Sequence, residues 1–209
     1  MRIIWISAAS VALTGAYLFG APAAAGAPAA AGAPASAEFP EATGSCVAAP
    51  AAEAYEVLSV PGGMFEHGVS RTADGDLQSF AHEYNAIRAE NCLPVLPVEA
   101  FRFDDCIEAR LVWMAEDPST DPLSAWGHRG SVRSDGAADV GCDSNLAGGT
   151  DNTGAIVAQR WWDSAPHRSA LYAPDMDVSG LCVRFAMTHG GSPDEPVSLA
   201  RAGASLGSC

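Results

Sequence analysis

The chain contains no lysine: its 11 basic residues are all arginine, set against 25 acidic ones, for a formal charge of −14. A basic stripe able to release counterions from nucleic acid is therefore missing. Anionic lipid headgroups are disfavoured for the same reason. The excess of carboxylate suits a protein kept soluble by its own charge. No C-x-x-C pair occurs, which argues against zinc–thiolate clusters and thioredoxin-like redox motifs. The G-x-S-x-G elbow that frames many serine nucleophiles is also lacking. There is no internal repeat, and no segment after Gly20 is apolar enough to cross a bilayer.

What is present begins with an export signal. Arg2 supplies a positive start, Ile3 to Gly20 is apolar and uncharged, and Ala-Pro-Ala repeats follow. Small residues at Ala35-Ser36-Ala37, before Glu38, fit a cleavage site, with Ala21-Pro22-Ala23 as a rival. An uncleaved anchor is the alternative, since an apolar run of about 18 residues just spans a membrane. Residues 1–37 are read as signal peptide and Ala/Pro-rich spacer, 38–76 as an irregular arm held by Cys46, and 77–209 as the folded domain. The mature chain of about 170 residues is long enough for one domain with a real core. The expected destination is outside the cytoplasm, secreted or in the cell envelope, as a monomer with no stable membrane span after processing.

Six cysteines, Cys46, Cys92, Cys106, Cys142, Cys182 and Cys209, follow this signal. An even count in an exported chain reads as three disulfides. Spacing alone leaves the connectivity open. The pairing expected is Cys92–Cys106 between the ends of two successive helices, Cys142–Cys182, and Cys46–Cys209 pinning both termini.

Periodicity places three helices and two strands. Asp76 is a candidate N-cap for a helix whose Leu77, Phe80, Ala81, Tyr84, Ile87 and Arg88 form one stripe, stopped by Pro94 and Pro97. A second helix runs from Asp104 to Glu116, burying Ile107, Leu111, Met114 and Ala115, and stops at Asp117-Pro118. Residues 118–154 read as a long loop. A third helix begins at Asn152 or Thr153 and carries Ile156, Val157 and Trp161, with a short helical turn after Pro166. Val178–Met187 and Val197–Ala202 have strand composition. Helices first and strands last favour an α+β fold.

Three blocks carry a resemblance. The most specific runs from Trp161-Trp162-Asp163-Ser164-Ala165-Pro166-His167-Arg168 to Leu171 and Pro174, followed by Gly180-Leu181-Cys182-Val183. His128-Arg129-Gly130 and Asn145-Leu146-Ala147-Gly148-Gly149 precede it, and Asn85-x-x-Arg88 with Pro94-Val95-Leu96 lies upstream. In order and spacing these resemble the CAP superfamily (cysteine-rich secretory, antigen 5 and pathogenesis-related proteins), bacterial secreted type, over residues 80–187. The resemblance implies a three-layer α-β-α sandwich around a small antiparallel sheet, with 77–209 as the CAP-like domain.

In that family two histidines and two glutamates meet in a cleft that binds a divalent metal in some members. The histidines correspond to His128 and His167. The glutamates fall on Ser144 and Ser164, which hold no charge and are poor ligands at neutral pH. Two imidazoles alone fall short of the three protein ligands of a catalytic zinc site. No cofactor is therefore expected, zinc at His128 and His167 being the one metal the pattern allows. Asp143 and Asp163 adjoin the substituted positions, but sequence neighbours rarely point the same way.

The resemblance thus implies a ligand-binding cleft at His128, Ser144, Asn145, Ser164 and His167, with Asn145 also suited to holding turn backbone. Trp161 is read as core. Trp162 either lines the cleft or packs at the surface. The catalytic residues are unassigned. The expected function is a non-enzymatic domain taking a small ligand, a lipid or an extracellular protein partner. A metal-assisted or serine-type hydrolase and a structural module of the cell envelope are the alternatives.

Overall fold

A computed structural model of the protein describes residues 46–209, apart from Pro193. The export signal, the spacer and the first part of the arm lie outside the described residues. The class is α+β.

Helix α1 spans Asp74–Glu90, its N-cap being Ala73 rather than Asp76. Asp76 sits three residues inside the helix, and its carboxylate accepts the Ala73 N–H at 2.9 Å. The sequence signal was thus the acidic half of a capping arrangement, displaced by one turn. The prolines do not stop α1. It ends at Glu90, and Cys92 takes a left-handed conformation with φ 55°. Leu93 N–H then returns to the Arg88 carbonyl at 2.8 Å, satisfying an end-of-helix acceptor. Residues before α1 are only partly irregular, with tight 3₁₀ turns at Ala52–Val57 and Glu66–Gly68.

Helix α2 spans Asp105–Ala115, capped by Asp104, whose carboxylate accepts the Ile107 N–H at 2.9 Å. Helix α3 spans Gly154–Asp163, capped in the same way by Thr153 on Ile156. A short helix α4, Ala165–His167, runs into a wider turn at Arg168–Tyr172. Both side-chain caps satisfy donors that helix starts leave unpaired.

Four strands form one mixed sheet in the order β1-β3-β4-β2: β1 Phe101–Phe103, β2 Asn145–Thr150, β3 Leu181–Gly191 and β4 Glu195–Ser208. Strand β1 lies parallel to β3, and the other pairings are antiparallel. Strand β2 occupies part of the region expected as loop. Its glycines give it poor intrinsic strand propensity. It is held by pairing with β4 and by helix α3, where Trp161 Nε1 donates to the Leu146 carbonyl at 3.2 Å and Arg160 Nη1 to the Gly148 carbonyl at 3.1 Å. These two side chains also blunt an edge that would otherwise offer its carbonyls to another chain.

Alternate residues of β3 enter different clusters. Val183, Phe185 and Met187 pack with Phe80 and Tyr84 of α1 and with Val157 and Trp161 of α3. Ala186 packs with Ile107, Leu111 and Met114 of α2. Phe80 stacks on Phe185 at 4.3 Å. The stripe ends in a fully buried Arg88, which donates to the carbonyls of Pro94 and Tyr172 at 2.5 and 2.6 Å. Asn85, also buried, exchanges hydrogen bonds with the Leu96 backbone. Asn85 and Arg88 are thus structural clamps of the chain leaving α1.

All six cysteines are paired, but not as expected: the disulfides are Cys46–Cys92, Cys106–Cys142 and Cys182–Cys209. The expected Cys92–Cys106, Cys142–Cys182 and Cys46–Cys209 pairs are all replaced. The reasons are local. Cys92 is itself left-handed just past the end of α1, and its Cα lies 4.8 Å from that of Cys46 in the arm. Cys142 N–H bonds the Cys106 carbonyl at 3.0 Å, which brings that pair together. The β3–β4 register pairs Leu181 with Ser208, and this carries the chain terminus to Cys182.

Candidate functional site

The long segment between α2 and β2 is organised by buried side chains that act as hubs. Asp117, 4% exposed, accepts from the N–H of Ser119 and from the N–H and hydroxyl of Ser134, and also from the Ser124 hydroxyl. Burial pushes its carboxyl up, yet these donors outweigh that and hold it well below the usual carboxylate range. Arg133 donates to the carbonyls of Trp113 and Glu116 at 3.1 and 2.8 Å, and pairs with Asp135.

Arg110 is the hub that matters for the site. It is 2% exposed, donates to the carbonyls of Gly127 and His128, and pairs with Asp139 while lying over the Trp113 ring. Burial lowers its pKa, the Asp143 charge opposes that shift, and a guanidinium stays protonated in any case. The loop returns close beneath it. Gly141 has φ +80°, and a Cβ there would fall 2.5 Å from the Arg110 nitrogen. Only glycine fits that approach, and the Cys106–Cys142 disulfide follows at once.

The loop so held presents His128 and Asp143. Their Nδ1 and Oδ1 atoms are 2.7 Å apart, although the side chains are 63% and 45% exposed. Asp143 also accepts the N–H of Ser144 at 3.0 Å and of Arg129 at 3.4 Å. Burial raises the Asp143 pKa, but the bonds from His128 and the two backbone donors leave it depressed overall. Asp143 thus orients the ring as a carboxylate does behind many functional histidines. The adjacent Ser144 is 9% exposed and points to the other side, where Gly203 leaves it room beside Ile107. Its hydroxyl has no partner.

His167 is built differently. Its Nδ1 lies 2.9 Å from Ser164 Oγ, within one helical turn. Asp163 is directed instead to Gln159 at 2.9 Å. Of the two aspartates beside the substituted positions, Asp143 therefore meets a histidine and Asp163 does not. Asn145 spends its amide on the Ala204 carbonyl at 3.1 Å, so it serves the sheet. Trp161 is buried, while Trp162 packs edge-on against Tyr172 with Arg168 over its face.

No hydrogen bond or ion pair among the described residues joins His128 to His167, and neither lines the main cavities of those residues. The group of three metal-type donors among these residues is Asp104, Cys106 and Cys142. Both sulfurs belong to a disulfide, so the group offers no thiolate ligand.

Sequence reasoning missed the hubs. Asp117 was visible only as a helix stop before proline, and Arg110 only as one residue of a helix. It also missed His189, whose Nε2 lies 3.1 Å from Asp76 and ties β3 to the start of α1. That bond raises the His189 pKa against the opposing effect of burial.

Comparison with protein-family models, curated proteins and solved structures gives no match to this chain.

Proposed function

We propose that this chain is an exported CAP-like binding module, a three-layer α-β-α domain that takes a small ligand, lipid or protein partner at the face marked by His128 and His167, without turnover. The observation that carries the reading is the His128–Asp143 pair. An exposed ion pair contributes little to stability, about 0–1 kcal/mol. Yet a buried arginine, a glycine approach and a disulfide converge to hold this one in place. Such support for two exposed polar groups suits recognition. Nδ1 is engaged by Asp143, which leaves Nε2 to meet a ligand.

The absence of turnover rests on what surrounds the rings. Ser144 faces away from His128, and both glutamate positions of the resembling family lack charge. Export is supported by three disulfides, by the leading apolar run, and by the lack among the described residues of a helix able to cross a membrane. The test is to purify the exported protein and its His128→Ala/His167→Ala variant from the same medium, extract both with organic solvent and compare the extracts by mass spectrometry. A compound recovered from the wild type and lost from the variant is expected. Equal recovery from both would contradict the reading.

One observation favours a serine-type hydrolase, the Ser164–His167 contact. A working triad also needs an orienting group on the second ring nitrogen and an oxyanion hole. Labelling of Ser164 by a fluorophosphonate, abolished in His167→Ala, would establish that alternative.

A further inference from the structure

A groove of about 450 Å³ lies along α2, away from the histidines. Ala109, Val112 and Trp113 line it, with Asp105 and Glu116 at its two ends. Their spacing puts them on one helical face. Phe65 stands on one side and Ala138 and Val140 on the other.

Both walls are fixed. Arg71 Nη2 meets Glu108 at 2.6 Å and lies over the Phe65 ring, while Thr72 adds two hydrogen bonds to the same carboxylate. Opposite, Asp139 pairs with Arg110 and accepts the Gly130 N–H at 2.8 Å. A groove with pinned walls loses little entropy when it is filled.

The charges around it do not balance. Arg71 is matched by Glu108, Arg110 by Asp139 and Arg133 by Asp135. Glu116 is left sharing Arg133 at 3.6 Å, and Asp105 and Glu66 have no ion-pair partner among the described residues. An apolar floor therefore ends in a carboxylate at each side of a chain without lysine.

We propose that this groove docks a short basic and apolar segment of a partner protein, lying along α2 with a cationic side chain at each end. The eleven-residue step from Asp105 to Glu116 rises about 16 Å, the length of about five residues of extended chain. The segment so defined carries apolar side chains between two basic ones. The proposal stands apart from the histidine face and survives its failure.

The test is fluorescence anisotropy on the full folded chain with a short labelled peptide bearing arginine at each end and leucine between. Saturable binding is expected, weakened roughly tenfold in Ala109→Arg, which fills the groove with like charge at an exposed helix position. Val57→Arg, at a site 77% exposed and lining a different cavity, changes net charge equally and is expected to bind as wild type. Asp105→Asn with Glu116→Gln is expected to weaken binding and flatten its salt dependence. No saturable binding to wild type would overturn the proposal. So would equal behaviour of the two arginine variants, which marks bulk charge attraction, or undiminished binding of a peptide with serine in place of leucine.

Discussion

Replacing Arg110 by methionine separates the support of the candidate site from the core. Methionine keeps the apolar stem of the side chain, but removes the guanidinium that lies over Trp113 and with it the charge and every donor. Two backbone carbonyls, of Gly127 and His128, lose their partner, and Asp139 loses its counter-ion. Hydrogen bonds to a charged group contribute about 1.5–3 kcal/mol each, and removing one partner of a buried pair costs about 3–5 kcal/mol. Asp139 is 25% exposed and is rehydrated in part, so the lower end, about 3 kcal/mol, is expected. The Cys106–Cys142 bond keeps the loop attached, which makes the loss local to residues 127–143. Hydrogen exchange followed by mass spectrometry is the assay. Faster exchange is expected in 127–143, with α1 and β3 little changed. Unaltered protection of 127–143 would refute Arg110 as the hub of the site, and uniform loss across the chain would show that the residue serves the whole fold.

Replacing Cys106 and Cys142 together by serine reopens a loop of 36 residues, worth roughly 4 kcal/mol of chain entropy; a lower urea midpoint with the His128 ring freed from Asp143 is expected by NMR. For Asp117, the folded pKa is depressed, so its contribution is present above the unfolded value near 3.8 and is lost as pH falls through the folded one. Asp117→Asn is expected to lower stability at neutral pH by about 2–4 kcal/mol and to flatten acid denaturation below pH 3.8, both read by urea titration. His189 has the opposite sign: its raised folded pKa gives stability that is complete below 6.5 and is lost as pH rises through the folded value. The melting temperature of wild type should therefore fall across that window relative to its His189→Gln variant.

The helices were legible because their determinants are local. Leu77, Phe80, Ala81, Tyr84 and Ile87 recur on one face and are all buried, and the capping residues Asp104 and Thr153 stand one residue before α2 and α3. Strand β2 was not legible, since Asn-Leu-Ala-Gly-Gly-Thr becomes a strand only through its partner and the side chains of Trp161 and Arg160. The disulfide connectivity depended on a left-handed residue and on a hairpin register, and neither leaves a mark in cysteine spacing. At the site, Asp143 was discounted on the rule that neighbours point apart. The rule held, and in its actual direction it turns Ser144 inward and Asp143 toward His128. Arg110 and Asp117 act on groups seventeen residues away in sequence, a separation that no local pattern reveals.

The proposal that His128 and His167 belong to one binding face is tested most directly by their ring signals in ¹H–¹³C NMR. The spectra are followed while the organic-solvent extract of the wild-type protein is titrated into protein already freed of extractable ligand. The account predicts that both rings shift together and saturably while the His67 and His82 signals stay still. A shift of one ring alone, or of neither, would contradict it.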